Sequence, residues 1–364
     1  MFLIVLILSI YYFSVLFFLS LGIWKLKRPS VSSTQHEISV IVAARNEEAN
    51  ILRLINCLLQ QNYSPKRYEL IIVDDRSEDR TAEIVTEAIK TTENLRLLRI
   101  PIEEQGGKKR ALARGISQAR YSILAFTDAD CLPSPDWLQE ISNHFTPEVS
   151  FIGGYSPLIS DKNNFWIRLK NLERLSIFAV SAGSMGWNLG LTITARNMAY
   201  RKELYNKVNG FSGLENIPSG DDDLMLQRMS PYSKKMNFMF TQGSIVPSYD
   251  NKNLSGQINL ETRRASKWRY YPFYIKIGTA LVFLYYLAFF LMLLFFLIGK
   301  LSFHTFILLL LIKILAELII LIPFFQRIRT WQYLPLYPVA LILHLPYFIF
   351  FGLKGTFGKY KWKS

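Results

Sequence analysis

Apolar and polar positions divide the 364-residue chain into three stretches. Residues 1–24 read MFLIVLILSIYYFSVLFFLSLGIW and hold no charged side chain. Residues 25–272 alternate apolar runs with polar ones, and residues 273–353 return to Leu, Phe, Ile and Tyr. A helix needs about 20 apolar residues to cross the hydrocarbon core of a bilayer, so both ends of the chain read as membrane spans. No basic residue precedes the first apolar run and no small-residue cleavage site follows it, which favours an uncleaved anchor over a signal peptide. Further spans are predicted near residues 274–298, 302–323 and 333–353. The last contains Pro335, Pro338 and Pro346 and reads as a span, as a segment that enters and returns, or as one lying in the interface, so the C-terminal region holds two or three.

Within the middle stretch the period switches repeatedly. ISVIVAA (38–44) is a continuous β-branched run, as expected of a strand buried on both faces. In residues 47–61, Ile51, Leu54, Ile55, Leu58 and Leu59 share one helical face. LIIVDD (70–75) is a second buried strand, and Ser77 stands as an N-cap before a helix over 81–90. A third strand (95–100), a helix entered through Gly106 and Gly107 (108–120), a fourth strand (122–127) and a helix opened by Ser134 and Pro135 follow. This rhythm predicts an α/β fold with a mostly parallel sheet and crossover helices. Beyond residue 150 the pattern loosens: strands are expected at 151–157 and 191–195, an amphipathic helix at 165–182, and an acidic helix start in 218–230. Residues 257–271 are basic and aromatic, which suits a helix in the membrane interface.

Charge and composition narrow the function classes. The net charge is +14. In a chain with spans this points to anionic headgroups and phosphate substrates rather than nucleic acid, for which no motif is present. Lys25, Lys27 and Arg28 follow the first span and place the middle region in the cytoplasm. Simple counting puts the tail 354–363, with four lysines, outside, against the same rule. Cys57 and Cys131 give neither a disulfide framework nor metal spacing, and His36, His144, His304 and His344 form no cluster. Glu317 in mid-span either pairs with Lys313 one turn earlier or meets a lipid headgroup.

Ligands of parallel α/β sheets bind outside the carboxyl ends of the strands. Polar clusters sit at three of those ends: Arg45-Asn46-Glu47-Glu48, Asp74-Asp75, and Asp128-Ala129-Asp130. The pair Asp128 and Asp130 can approach one hard divalent cation, and Mg²⁺ is typically held by one or two carboxylates plus substrate phosphates. A nucleoside diphosphate is the natural partner of such a site.

Taken in order, SVIVAARNEE, LIIVDDRSEDRT, GGKKRALARGISQA, FTDADCLPSPDWL, TARNMAYRKELYNKVNGF, GDDDLML and RRASKW resemble the family 2 glycosyltransferases of GT-A fold, over residues 38–268. The apolar pattern and the resemblance together give four regions: an N-terminal transmembrane helix (1–24), a Rossmann-like GT-A catalytic domain (25–255), an interfacial helix (256–272) and a C-terminal transmembrane region with a basic tail (273–364). The resemblance implies that Ala43, Arg45, Glu47 and Asp75 hold the nucleoside and that Lys108 lies near the nucleotide. Asp128 and Asp130 correspond to the metal and diphosphate motif, Asp130 as the direct ligand of Mg²⁺ or Mn²⁺. Asp222, or in another register Asp221, corresponds to the general base, and mutual repulsion in Asp221-Asp222-Asp223 would raise the proton affinity of at least one carboxylate. Arg264-x-x-Lys267-Trp268 resembles the (Q/R)xxRW motif, whose cations hold the diphosphate and whose Trp lies near the acceptor; Lys267 replaces the motif Arg and loses its planar fork. The activity implied is inverting transfer from a nucleotide-diphosphate sugar, with UDP the common choice, to a lipid or lipid-linked acceptor at the cytoplasmic face of a bacterial inner membrane. The alternatives are a processive polysaccharide synthase and a non-catalytic membrane-anchored scaffold.

Overall fold

A computed structural model describes residues 2–27, 35–160, 164–217, 219–250 and 254–358. Arg28, Pro218 and the tail lysines 359, 361 and 363 lie outside the described residues. The chain divides into two compact units: one of Leu26–Lys162 and Asn188–Asp250, the other of Met1–Lys25, Asn163–Trp187 and Asn251–Ser364.

The first unit is built on a seven-stranded sheet of β1 (Ile38–Ala44), β2 (Tyr68–Asp74), β3 (Leu95–Arg99), β4 (Ile123–Phe126), β5 (Val149–Gly154), β7 (Met198–Arg201) and β8 (Lys235–Met239). Their order is β3-β2-β1-β4-β7-β5-β8. Strands β3, β2, β1 and β4 run parallel, and β7 enters antiparallel between β4 and β5. A two-stranded parallel sheet joins β6 (Leu158–Ile159) to β9 (Ser248–Tyr249). Every residue of β2 is buried: the apolar run 70–73 suits a strand covered on both faces, and the buried Glu69 is paired with Arg96 at 3.1 Å. Val40, Val42, Leu70 and Ile72 enter a core with Ile51, Leu54, Ile55 and Leu58 of α2 (Ile51–Leu59), Val85 of α3 (Thr81–Ile89), and Trp137, Leu138 and Ile141 of α5 (Trp137–His144). The alternate residues Ile41 and Val73 point the other way, toward α4 (Lys108–Gln118). Two short helices, α7 (Lys202–Lys207) and α8 (Asp223–Met229), complete the unit.

Chain order along the sheet reverses between β1 and β4, so the crevice at their carboxyl ends is the topological switch point. Several local expectations are corrected. Residues 47–50 form a turn rather than the first turn of α2. Ser77 does not cap α3; its hydroxyl accepts from the Asn46 N–H at 3.0 Å and ties the loop after β2 to the loop after β1. Residues 191–195 are not a strand: the Asp223 carboxylate accepts the Ile193 N–H at 2.8 Å, and the Gln227 amide donates to the Leu191 carbonyl at 3.0 Å. Side chains of α8 thus supply the partners that a neighbouring strand would have given.

The second unit is helical. Among the described residues, four helices are long and apolar enough to cross a membrane: α1 (Phe2–Lys25), α10 (Phe273–Leu297), α11 (Phe303–Ile328), and α12 (Tyr337–Phe357) with the 3₁₀ turn that precedes it. Three of them lie in the C-terminal region, the larger of the two counts expected. With them belong α9 (Leu254–Ser266) and α6 (Phe165–Gly186). The sequence pattern places α6 in the soluble region, whereas in the structure it belongs to the helical unit. Its small residues explain the packing: a Cβ on Gly183 would lie 2.5 Å from the Leu19 carbonyl oxygen, and one on Gly22 would lie 2.0 Å from that of Gly183. Helices α1 and α6 therefore meet backbone to backbone, as small-residue pairs permit. Lys313 pairs with Glu317 on α11. Glu317 also accepts hydrogen bonds from Tyr337 (2.8 Å), Tyr12 and Tyr286 (3.3 Å each), so these two charges of an apolar helix are matched inside the bundle.

Candidate active site

The polar loops at the carboxyl ends of β1, β2 and β4 form one bonded network. The loops after β1 and β2 clasp each other: Thr81 Oγ1 accepts the Glu47 N–H (2.8 Å), and Asn46 Oδ1 accepts the Glu78 N–H (2.9 Å). Both loops turn through residues of positive φ, Asn46 and Arg76. Ala43 sits next to last in β1, in register with Val73. Arg45 is half-buried, and its Nε is buried without a hydrogen-bond partner. Glu47 accepts from the Asn50 amide at 2.8 Å.

The two acids closing β2 have separate duties. Asp74 braces its own loop, accepting the Ser77 N–H (3.2 Å) beside Arg99 (3.7 Å). Asp75 is 5% exposed, and its carboxylate accepts the Gly107 N–H at 2.9 and 3.1 Å. That approach explains the glycine pair: Gly107 has φ +128°, and a Cβ on Gly106 would lie 2.4 Å from Asp75 Oδ1.

Lys108 continues the connection. Its ammonium lies 2.8 Å from Asp128 Oδ1 and 2.8 Å from Asp221 Oδ2. Burial works against its charge, but the two carboxylates overcome that and hold its pKa above the usual lysine value. Asp128 Oδ2 lies 3.5 Å from Arg196 Nε, and Asp130 Oδ2 lies 3.7 Å from Arg196 Nη2. Burial likewise opposes the Arg196 charge, and the carboxylates of Asp130 and Asp128 more than offset it. Asp130 also accepts the Cys131 thiol at 3.5 Å; burial first, then Asp130 and Asp128, push that thiol up. A chain of contacts thus runs from Asp75 through Gly107 and Lys108 to Asp128 and Asp221, and through Arg196 to Asp130.

The acidic triplet splits rather than repelling as a block. Asp221 is 7% exposed and neutralised by Lys108. Asp223 is buried, accepting from Thr192 Oγ1 at 3.0 Å as well as from Ile193. Asp222 is half-buried at the N-cap of α8, accepting the Asp223 N–H at 2.7 Å. Gly220 (φ +88°) delivers the chain into this turn, and Lys109 anchors the turn by donating to the Ser219 carbonyl at 2.7 Å.

Arg264, Lys267 and Trp268 belong to the helical unit. There Arg264 pairs with Glu261 (2.8 Å), Lys267 is buried, and the Trp268 indole N–H donates to Thr356 Oγ1 at 3.1 Å. Arg196 was not singled out by sequence reasoning. It lies inside the quoted stretch TARNMAYRK, and only folding places it against Asp128 and Asp130, since β7 pairs with β4.

Among the described residues no group of three or more His, Cys, Asp or Glu converges on one point. The pair Asp128 and Asp130 nevertheless fits Mg²⁺ or Mn²⁺: both carboxylates already face one cationic group, and such ions take one or two protein carboxylates when phosphates complete the shell.

Residues 39–209 match the family model Glycosyl transferase family 2. Glycosyltransferase AglE of Haloferax volcanii is 37% identical over 126 residues, 34% of this chain and 40% of that protein. Beta-monoglucosyldiacylglycerol synthase of Trichormus variabilis is 34% identical over 132 residues, 36% of this chain and 28% of that protein. The matched segments thus span less than half the length of these relatives. Among solved structures, the mannosyltransferase PcManGT of Pyrobaculum calidifontis, in complex with GDP-Man and Mn²⁺, aligns with 97% of this chain and 96% of that chain at a TM-score of 0.57 and 15% identity, which establishes a shared fold. The mostly parallel sheet is of GT-A type, and within it residues 39–209 are similar to the glycosyl transferase family 2 domain.

Proposed function

We propose that the chain is an inverting glycosyltransferase that moves one sugar from a nucleoside-diphosphate donor, UDP-linked, to a lipid or lipid-linked acceptor at the cytoplasmic face of the membrane. The observation that carries this reading is the contact chain from Asp75 through Lys108 to Asp128, Asp221 and, by way of Arg196, Asp130, all at the switch point of the sheet. Ala43, Arg45, Glu47 and Asp75 would hold the nucleoside, and Lys108 would meet the phosphates. Asp128 and Asp130 would hold Mg²⁺ or Mn²⁺, which when bound supplies charge stabilisation to the leaving diphosphate.

Asp222, half-buried at the N-cap of α8, stands where the family motif places its general base and is assigned that role. Asp222 takes the proton of the acceptor hydroxyl as its oxygen bonds to the anomeric carbon and the bond to the diphosphate oxygen breaks. A lipid acceptor is supported by the four apolar helices and by the likeness to a protein named for making a glucosyl diacylglycerol.

The test is to supply membranes containing the full chain with a panel of radiolabelled nucleotide sugars and to analyse the lipid extract. One labelled lipid, lost in Asp222→Asn, is expected. A long labelled polymer would replace this reading with a processive synthase, and no labelled product from any donor would end it.

A further inference from the structure

We propose that Arg196 is a built-in counter-cation of the acidic pair, so that a divalent metal ion competes with its guanidinium for Asp128 and Asp130 while the same guanidinium gives a metal-free nucleoside diphosphate its phosphate contact. The inference rests on the donor reading above and adds a residue to it.

Three observations carry it. Arg196 is 9% exposed, and a guanidinium so buried needs partners for its five N–H groups. The partners it has are loose: 3.5 Å to Asp128 and 3.7 Å to Asp130, against about 2.7–2.9 Å for a well-made charge-assisted bond. Its Nη1 is buried with no hydrogen-bond partner. A guanidinium held in this way is under-satisfied in its present contacts, and a small shift away from the two carboxylates would turn its N–H groups to a phosphate oxygen. The carboxylates, in turn, already face a positive charge, so a metal ion must share them with it or displace it. Repulsion between the ion and Arg196 then lowers metal affinity in the absence of nucleotide.

The experiment uses the full chain purified in detergent and two binding measurements that need no turnover. Mn²⁺ binding without nucleotide is followed by the electron paramagnetic resonance signal of free Mn²⁺. UDP binding in the presence of a chelator is followed by calorimetry. Arg196→Gln is expected to tighten Mn²⁺ about tenfold and to weaken metal-free UDP about tenfold, opposite signs that follow from removing one positive charge beside two carboxylates. Arg196→Lys retains the charge but not the fork, so Mn²⁺ affinity stays within about threefold of wild type while metal-free UDP still weakens.

A general loss of structure would weaken both ligands in both variants. Unchanged or weaker Mn²⁺ binding in Arg196→Gln, with wild type binding both ligands, overturns this inference and leaves the donor reading standing. Should Arg196→Gln not fold, a large change of Mn²⁺ affinity in Arg196→Lys overturns it. A wild-type protein that binds neither UDP nor Mn²⁺ removes the donor reading and this inference with it.

Discussion

Replacing Lys108 with Met tests the electrostatic frame of the site. The ammonium lies 2.8 Å from a carboxylate oxygen of Asp128 and 2.8 Å from one of Asp221. The side chains are 29%, 26% and 10% exposed, so the cluster is neither open to water nor dry. Breaking a fully buried pair by removing one partner destabilises by about 3–5 kcal/mol, because a charge is left without compensation. A pair on the surface contributes about 0–1 kcal/mol. Two contacts of intermediate burial place Lys108→Met at a loss of about 2–4 kcal/mol, after discounting for solvent screening at Asp128. Most of that loss is the stranded charge on Asp221, the more buried acid. Lys108→Met combined with Asp221→Asn should therefore lose about 1–2 kcal/mol less than the two single changes added together. The assay is equilibrium denaturation of the four proteins in one detergent. Additive losses, or a loss under about 0.5 kcal/mol in Lys108→Met, would refute the assignment of Lys108 as the bridge between the β4 loop and the α8 turn.

Two further outcomes follow from buried titratable groups. Burial lowers the His144 pKa from the ordinary 6.5 to about 4. The unfolded chain then binds more protons than the folded one between those values, so stability falls as pH drops from about 6.5 to about 4, by about 3 kcal/mol in all. Denaturation against pH should show that slope in wild type and not in His144→Gln; an identical slope in both would count against it. In the bundle, Glu317→Ala leaves the 2%-exposed Lys313 and three tyrosine hydroxyls without their acceptor, and should destabilise the helical unit by about 3–5 kcal/mol, read as loss of detergent-resistant fold. A fully stable variant would show that the pair faces lipid or water.

What was legible in the sequence was whatever rests on local pattern. The β-branched runs 38–44 and 70–75 announced buried strands, because only a doubly covered parallel strand tolerates so many consecutive apolar residues. Asp75, Asp128 and Asp130 were found because strand ends can be counted along the chain. What escaped depended on partners distant in sequence. Residues 191–195 look like a strand in composition, yet Asp223 and Gln227 satisfy their backbone. The residues of α6 read as one more amphipathic helix, and the significance of Gly183 appears only beside Gly22. Arg196 carries no local signal; its role follows from β7 lying antiparallel to β4.

The central claim is that the loops after β1, β2 and β4 hold one nucleoside diphosphate and its cation. A structure of the full chain with UDP and Mn²⁺ tests it most directly. The account predicts uridine beside Asp75, the ion on Asp128 and Asp130, and the phosphates within reach of Lys108 and Arg196. Nucleotide bound away from Asp75, or an ion held by other residues, would contradict it.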